Sequence, residues 1–184
     1  MSLDPVRAWH EEHAYFARLL QLLQAQVDLF HAGETPQYPL MLDILGYLHD
    51  YADQVHHPRE DEAFRRLRKR HPDQALMIAR LEQEHRVIAR AGTTLAHLLT
   101  QVEAGDAIVR RSEIEMAAAT FLVYYTHHLE KEDGEVLPLA ARSLTEADWQ
   151  AIRDCVKPSP DPLFGAQPQQ RFRALRHRIA LEAA

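Results

Sequence analysis

Four histidines and two glutamates recur along this chain at matched spacings. His56 and Glu60 are four residues apart, as are His128 and Glu132. On a helix each pair projects from one face, one turn apart, and can meet a common ion. His13 and His85 each interrupt an otherwise apolar stripe. A shift of 72 residues superposes Glu12 on Glu84, His13 on His85, His56 on His128, Glu60 on Glu132 and Asp61 on Asp133. Such a register indicates a duplicated helical hairpin, and a pseudo-two-fold axis would bring two equivalent ligand sets together. Packing alone does not call for this, because buried imidazoles need hydrogen-bond partners and buried carboxylates are costly without compensation. A pair of dications satisfies both. Mixed imidazole and carboxylate donors suit iron, with manganese or zinc open by ligand type. With both glutamates bridging, each iron would have two histidines, two carboxylate oxygens and a bridging oxide, leaving a position for dioxygen, nitric oxide or peroxide.

The elements that must position these residues are read from periodicity. Trp9, His13, Phe16, Leu20, Leu23, Val27 and Phe30 follow the spacing of one helical seam. Beyond a break from Pro36 to Pro39, Leu45, His49, Ala52, His56, Glu60, Ala63 and Leu67 form a second. The third starts at Pro72 and Asp73 and carries Ile78, Leu81, His85, Ile88, Gly92, Leu95, Leu99 and Val102. The fourth follows a Gly105-Asp106 turn and carries Ile114, Ala118, Phe121, Tyr125, His128, Glu132 and Glu135, with Val136 and Leu139 continuing the buried side. Short connections favour antiparallel neighbours, so the expected fold is all-α, an up-down-up-down four-helix bundle over residues 1–142. Residues 143–184 are read as an extension of short helices packed on it. Thr145 and Asp148 form a capping-box start, Asp161 to Gly165 a turn packed by Leu163 and Phe164, and a last helix from Pro168 brings Phe172, Leu175 and Ile179 onto the bundle.

Other residues have plainer readings. His57 and His127 point about 100° away from their neighbours on an ideal helix and are expected beside the site or at the surface. His10, His31, His71, His97 and His177 are expected in solvent. His49, two turns before His56, is a candidate for a supporting or access-channel role, and Tyr125 is the tyrosine expected nearest the ions. Pro58, between His56 and Glu60, and Pro138 should kink or break their helices. Two other metal signatures fail: His10 and His13 are three apart where a zinc-protease motif needs four, and only Glu82 with His85 matches the ferritin-like pattern.

Composition narrows the function classes. The 184 residues suffice for one domain. A net charge of −6 with interleaved arginines argues against nucleic acid, and Arg65 to Arg70 reads as a solvated helix end. A single cysteine, Cys155, excludes a disulfide framework or cysteine-rich cluster and is expected to be buried or half-buried. No apolar stretch suits a leader or a membrane span, so a cytoplasmic protein is expected.

The stretches WHEEHAYF, VHHPREDEAF, LEQEHRVI and HHLEKEDGEVLP together resemble the hemerythrin-like, or HHE cation-binding, family over roughly residues 4 to 142. The resemblance implies that His13, His56, Glu60, His85, His128 and Glu132 bind two non-haem irons, the same set that the spacing gives. Oxygen carriers of the family have a further histidine one turn along helix three, where this chain has Ala89. They also have an aspartate five residues after the helix-four histidine, where Asp133 stands beside Glu132 as a reserve ligand. Iron-repair relatives carry an N-terminal cysteine-containing domain that is not seen before helix one here.

The leading expectation is a di-iron protein binding or reducing a small diatomic oxidant or peroxide for sensing, storage or detoxification. Iron storage, donation or repair is the second, and a helical scaffold without metal the third. Neither nucleic acid nor membrane is an expected partner; a homodimer is one arrangement the sequence permits.

Overall fold

The computed structural model describes residues 5–105, 108–157 and 159–182, and these form helices and connecting turns with no strand among them. Helix α1 spans Pro5–His31, α2 Tyr38–Tyr47, α3 His57–Arg70, α4 Ala75–Ala104, α5 Arg111–Lys131 and α6 Leu137–Ser143. Two shorter helices, α7 (Glu146–Asp154) and α8 (Arg173–Glu182), follow. The break around Pro36 separates α1 from α2 as expected. Pro72 to Gln74 form a 3-10 turn that leads into α4, and Gly105 ends that helix in the left-handed conformation, φ 68°.

Neither Pro58 nor Pro138 breaks its helix. Leu48–His56 is a π-helical stretch that joins α2 to α3 with right-handed backbone at both junctions, and Glu132–Val136 joins α5 to α6 in the same way. Each π stretch ends two residues before a proline. The chain solves one problem twice: proline has no N–H to donate, and its ring crowds the carbonyl four residues back. The wider π turn passes the bond to the fifth residue instead, as in His57 N–H to Ala52 O and Leu137 N–H to Glu132 O. The extra residue also displaces the seam. Glu135, expected inside, is exposed and Val136 is buried, while His49 faces solvent and Leu48 and Tyr51 are buried in its stead.

The apolar interior falls into two clusters. One holds Phe16, Leu23, Ala52, Ile88, Leu95, Phe121 and Leu129; the other holds Trp9, Ala63, Phe64, Leu81, Val136 and Leu137. Helix α1 runs from the second cluster to the first, the α2–α3 run returns, α4 crosses again and the α5–α6 run returns. Each crossing passes a polar layer of His13, His56 with Glu60, His85, or His128 with Glu132, all buried. Helix α4 packs most extensively on α5. There a Cβ added at Gly92 would meet the Phe121 ring at 2.8 Å, so this close approach requires glycine.

The C-terminal residues contribute to both clusters. Thr145 and Asp148 make the expected capping box, and Trp149 meets Trp9 edge-on with ring centroids 5.4 Å apart. Asp161 accepts bonds from the Leu163 and Phe164 N–H groups, both 2.8 Å, and from the Tyr47 hydroxyl, 2.9 Å. Leu163, Phe172, Leu175 and Ile179 join the first cluster. Cys155 differs from expectation: it lies just past the end of α7 and is exposed.

Candidate metal centre

All six residues singled out from the sequence come together in the polar layer, each 6% exposed or less. Glu60 turns Oε1 to His13 Nε2 (3.2 Å) and His56 Nε2 (3.0 Å), and Oε2 to His85 Nε2 (3.5 Å). Glu132 does the converse. Its Oε1 faces His128 Nε2 (3.2 Å) and His85 Nε2 (3.7 Å), and its Oε2 faces His13 Nε2 (3.6 Å). Each carboxylate therefore spans two imidazole pairs, His13 with His56 and His85 with His128.

The far side of each ring is held by a second carboxylate. Asp133 Oδ1 is 2.7 Å from His13 Nδ1, Asp61 Oδ1 2.9 Å from His85 Nδ1, and Glu84 Oε2 3.2 Å from His128 Nδ1. Glu12 accepts from His56 Nδ1 and is itself fixed by Arg59 Nη2, 2.9 Å, and the Tyr51 hydroxyl, 2.9 Å. A carboxylate on Nδ1 puts the ring proton there and leaves the Nε2 lone pair aimed inward. Asp133 thus stands behind His13 and not among the inward-facing donors. The 72-residue register had displayed all four outer carboxylates, but spacing alone does not separate an inner oxygen from an outer one.

The same contacts shift the acid–base equilibria of the metal-free chain. Burial works against charge on His13, yet Asp133, Glu60 and Glu132 outweigh it and raise its pKa to about 10. His56, His85 and His128 are raised by neighbouring carboxylates against the same opposition. Burial favours a neutral Glu132, but His128 and His85 bring it down to about 2, and Glu60 is held well below the usual carboxylate range.

Several atoms in this layer face one another but have no hydrogen-bond partner: Glu60 Oε2, both Glu132 oxygens, His85 Nε2 and His128 Nε2. Buried polar atoms are normally satisfied. Orphans that are all lone-pair donors around one space fit cations, and the nitrogen and carboxylate set fits a first-row transition metal. Two overlapping groups have donor atoms within 4.8 Å of one another: His13, His56 and Glu60, and His57, Glu60, His85 and His128.

A family model for the hemerythrin HHE cation binding domain matches residues 4–140. The chain belongs to that family. No curated protein and no solved structure matches it. Family membership and the clustered donors together make this a metal-binding protein.

Within this HHE domain, His57 takes the first of the two places expected for it, beside the site. It is 4% exposed, with Nδ1 3.2 Å from Asp53 Oδ1 and its ring 4.2 Å from that of His85 at 13°. Burial, and then His85, lower its pKa to about 4. Tyr125 is fully buried and its hydroxyl has no partner; burial and the nearby Asp53, Glu60 and Glu132 carboxylates raise its pKa well above the ordinary value, so it keeps its proton. His127 is exposed, and His49 contacts the other Asp53 oxygen at 3.4 Å from the surface. A groove of about 410 Å³ between α1 and α5 is lined by His10, His13, Leu122, Leu129 and Asp133, and so borders the outer side of His13. Among the described residues no helix is long and apolar enough to cross a membrane.

Proposed function

We propose that the chain is a non-haem di-iron protein that binds or reduces a small oxidant, meaning dioxygen, nitric oxide or peroxide, on a four-helix bundle. The observation that carries this reading is the pair of carboxylates that each turn one oxygen to each of two imidazole pairs. A single ion would not use both ends of both glutamates. The alternation of the helical runs between two apolar clusters, with α1 packed on α5, α5 on α4 and α4 on α2, supports the up-down-up-down arrangement.

His13 and His56 would hold one iron, His85 and His128 the other, with Glu60 and Glu132 bridging. When bound, the ions supply Lewis acidity and one-electron redox chemistry. The chain supplies the rest. Glu12, Asp61, Glu84 and Asp133 hold a ring proton at each Nδ1 and keep the Nε2 nitrogens aimed inward, where a metal ion would displace the protons they otherwise carry. Phe16, Phe64 and Tyr125 exclude water from the layer, and the groove beside His13 admits a small solute.

Metal analysis and absorption spectra of protein from iron-supplied cells test the reading. Two irons per chain are expected, with a visible ferric spectrum that shifts on adding azide or nitric oxide. Two irons with spectra indifferent to both would favour iron storage, and no bound metal after anaerobic reconstitution would reject a metal centre. Glu60→Ala and Glu132→Ala should each lose roughly half the iron or more; full retention with an unchanged spectrum would reject bridging.

A further inference from the structure

His57 shares two features with all four imidazoles assigned above, burial and a carboxylate at Nδ1, and a third with His85 and His128, an Nε2 without a hydrogen-bond partner. It also falls within the 4.8 Å donor group of Glu60, His85 and His128. With Nδ1–H donating to Asp53, the neutral ring presents a bare lone pair, and an unused lone pair in a dry interior is costly.

The internal repeat shows that this is a departure from symmetry. Along one helical face, His49, Asp53 and His57 follow one another at four-residue steps and are linked by Asp53, which touches His49 at 3.4 Å and His57 at 3.2 Å. The 72-residue shift turns these three into Phe121, Tyr125 and Leu129. One half of the duplication thus carries a further imidazole with its own supporting carboxylate, and the other has aromatic and aliphatic side chains in the same places. Leu129 lines the groove beside His13.

We infer that His57 is a fifth imidazole ligand, which joins His85 and His128 and makes the two metal positions chemically unlike. The inference rests on the di-iron reading above. The His85–His128 position then has three nitrogens and two carboxylate oxygens from the chain. The His13–His56 position has one nitrogen fewer and lies next to the groove, so a small exogenous ligand binds there. The rival role for His57 is ring stacking on His85, which needs a flat ring and no nitrogen.

His57→Phe separates the two. Iron-loaded full-length wild type and variant are compared by iron content and by Mössbauer spectroscopy in the diferrous state. Wild type should give two quadrupole doublets of equal area. In His57→Phe one doublet should be lost, with iron affinity at that position weakened by roughly 10–100-fold, or should shift alone. A single doublet in wild type overturns the inference, as does a variant that keeps both irons and both doublets unmoved. Wild type that takes up no iron overturns the parent reading instead. Should circular dichroism show His57→Phe unfolded, Asp53→Ala decides: it frees the His57 ring, and the same single doublet must respond.

Discussion

Each imidazole of the centre is gripped from both ends, by an inner glutamate oxygen at Nε2 and an outer carboxylate at Nδ1. Two of the outer contacts, Asp133 to His13 and Asp61 to His85, cross from one half of the repeat to the other, and two, Glu12 to His56 and Glu84 to His128, stay within a half. Removing a crossing carboxylate leaves the ligand in place but lets its ring rotate. Asp133→Ala and Asp61→Ala should each weaken iron binding roughly 10–100-fold while a full complement still binds at saturation, measured by anaerobic iron titration. Loss of half the sites in Asp133→Ala would instead make that residue a ligand. A pH dependence follows from the same contacts. His13, raised from 6.5 to about 10, stabilises the metal-free fold fully below pH 6.5, and that contribution disappears as pH rises towards 10. Glu132, lowered from 4.5 to about 2, contributes above 4.5, and its share disappears as pH falls towards 2. His57, lowered from 6.5 to about 4, acts in the acid range too: its contribution is full above pH 6.5 and disappears as pH falls towards 4. Thermal melting of metal-free protein should therefore peak near pH 6.5 and decline on both sides. The iron-loaded protein should resist the alkaline decline, because metal replaces the protons; identical profiles for the two forms would refute this account.

At the level of elements, the decisive structures are the two π stretches, each set by a proline two residues downstream. Pro58→Ala restores an N–H that can bond to Gln54 O and removes the steric reason for the wider turn. The metal-free variant should melt no lower than wild type, yet bind iron more weakly because His56, His57 and Glu60 rotate relative to one another. A variant with unaltered iron affinity would show that the π turn is not what sets their positions. These stretches also mark where sequence reading stopped. The helical runs, the capping box at Thr145 and the four inner histidines were legible because α-periodicity and capping are local. The prolines announced a disturbance, but α-helical angles carried past them put Glu135 inside and His49 in the seam. A π turn adds one residue per insertion, and nothing in the local pattern says whether a proline will be met by a break or by that extra residue. Helix α4 offers a simpler test: Gly92→Ala sets a methyl against Phe121 and should cost about 1–3 kcal/mol in denaturant unfolding.

Across the whole molecule, a charged layer divides the apolar interior, and the C-terminal residues brace both sides of it, Trp149 against Trp9 and Phe172 against Tyr47. Trp149→Ala should lower unfolding stability by about 3–5 kcal/mol. If the extension is an integral brace, metal-free protein should suffer more visibly than loaded protein, since bound ions stabilise by mass action; equal melting shifts in both would count against that. The sequence showed the extension's apolar anchors but not their targets, because contacts distant along the chain leave no periodic trace. The repeat has one more consequence. One hairpin of this repeat, with a glutamate and a histidine on its first helix and a histidine, a glutamate and an aspartate on its second, would have to self-associate to complete such a centre, and every mutation would strike both copies at once. Two copies in one polypeptide are free of that constraint: position 57 holds histidine while position 129 holds leucine, and one side can be specialised without altering the other.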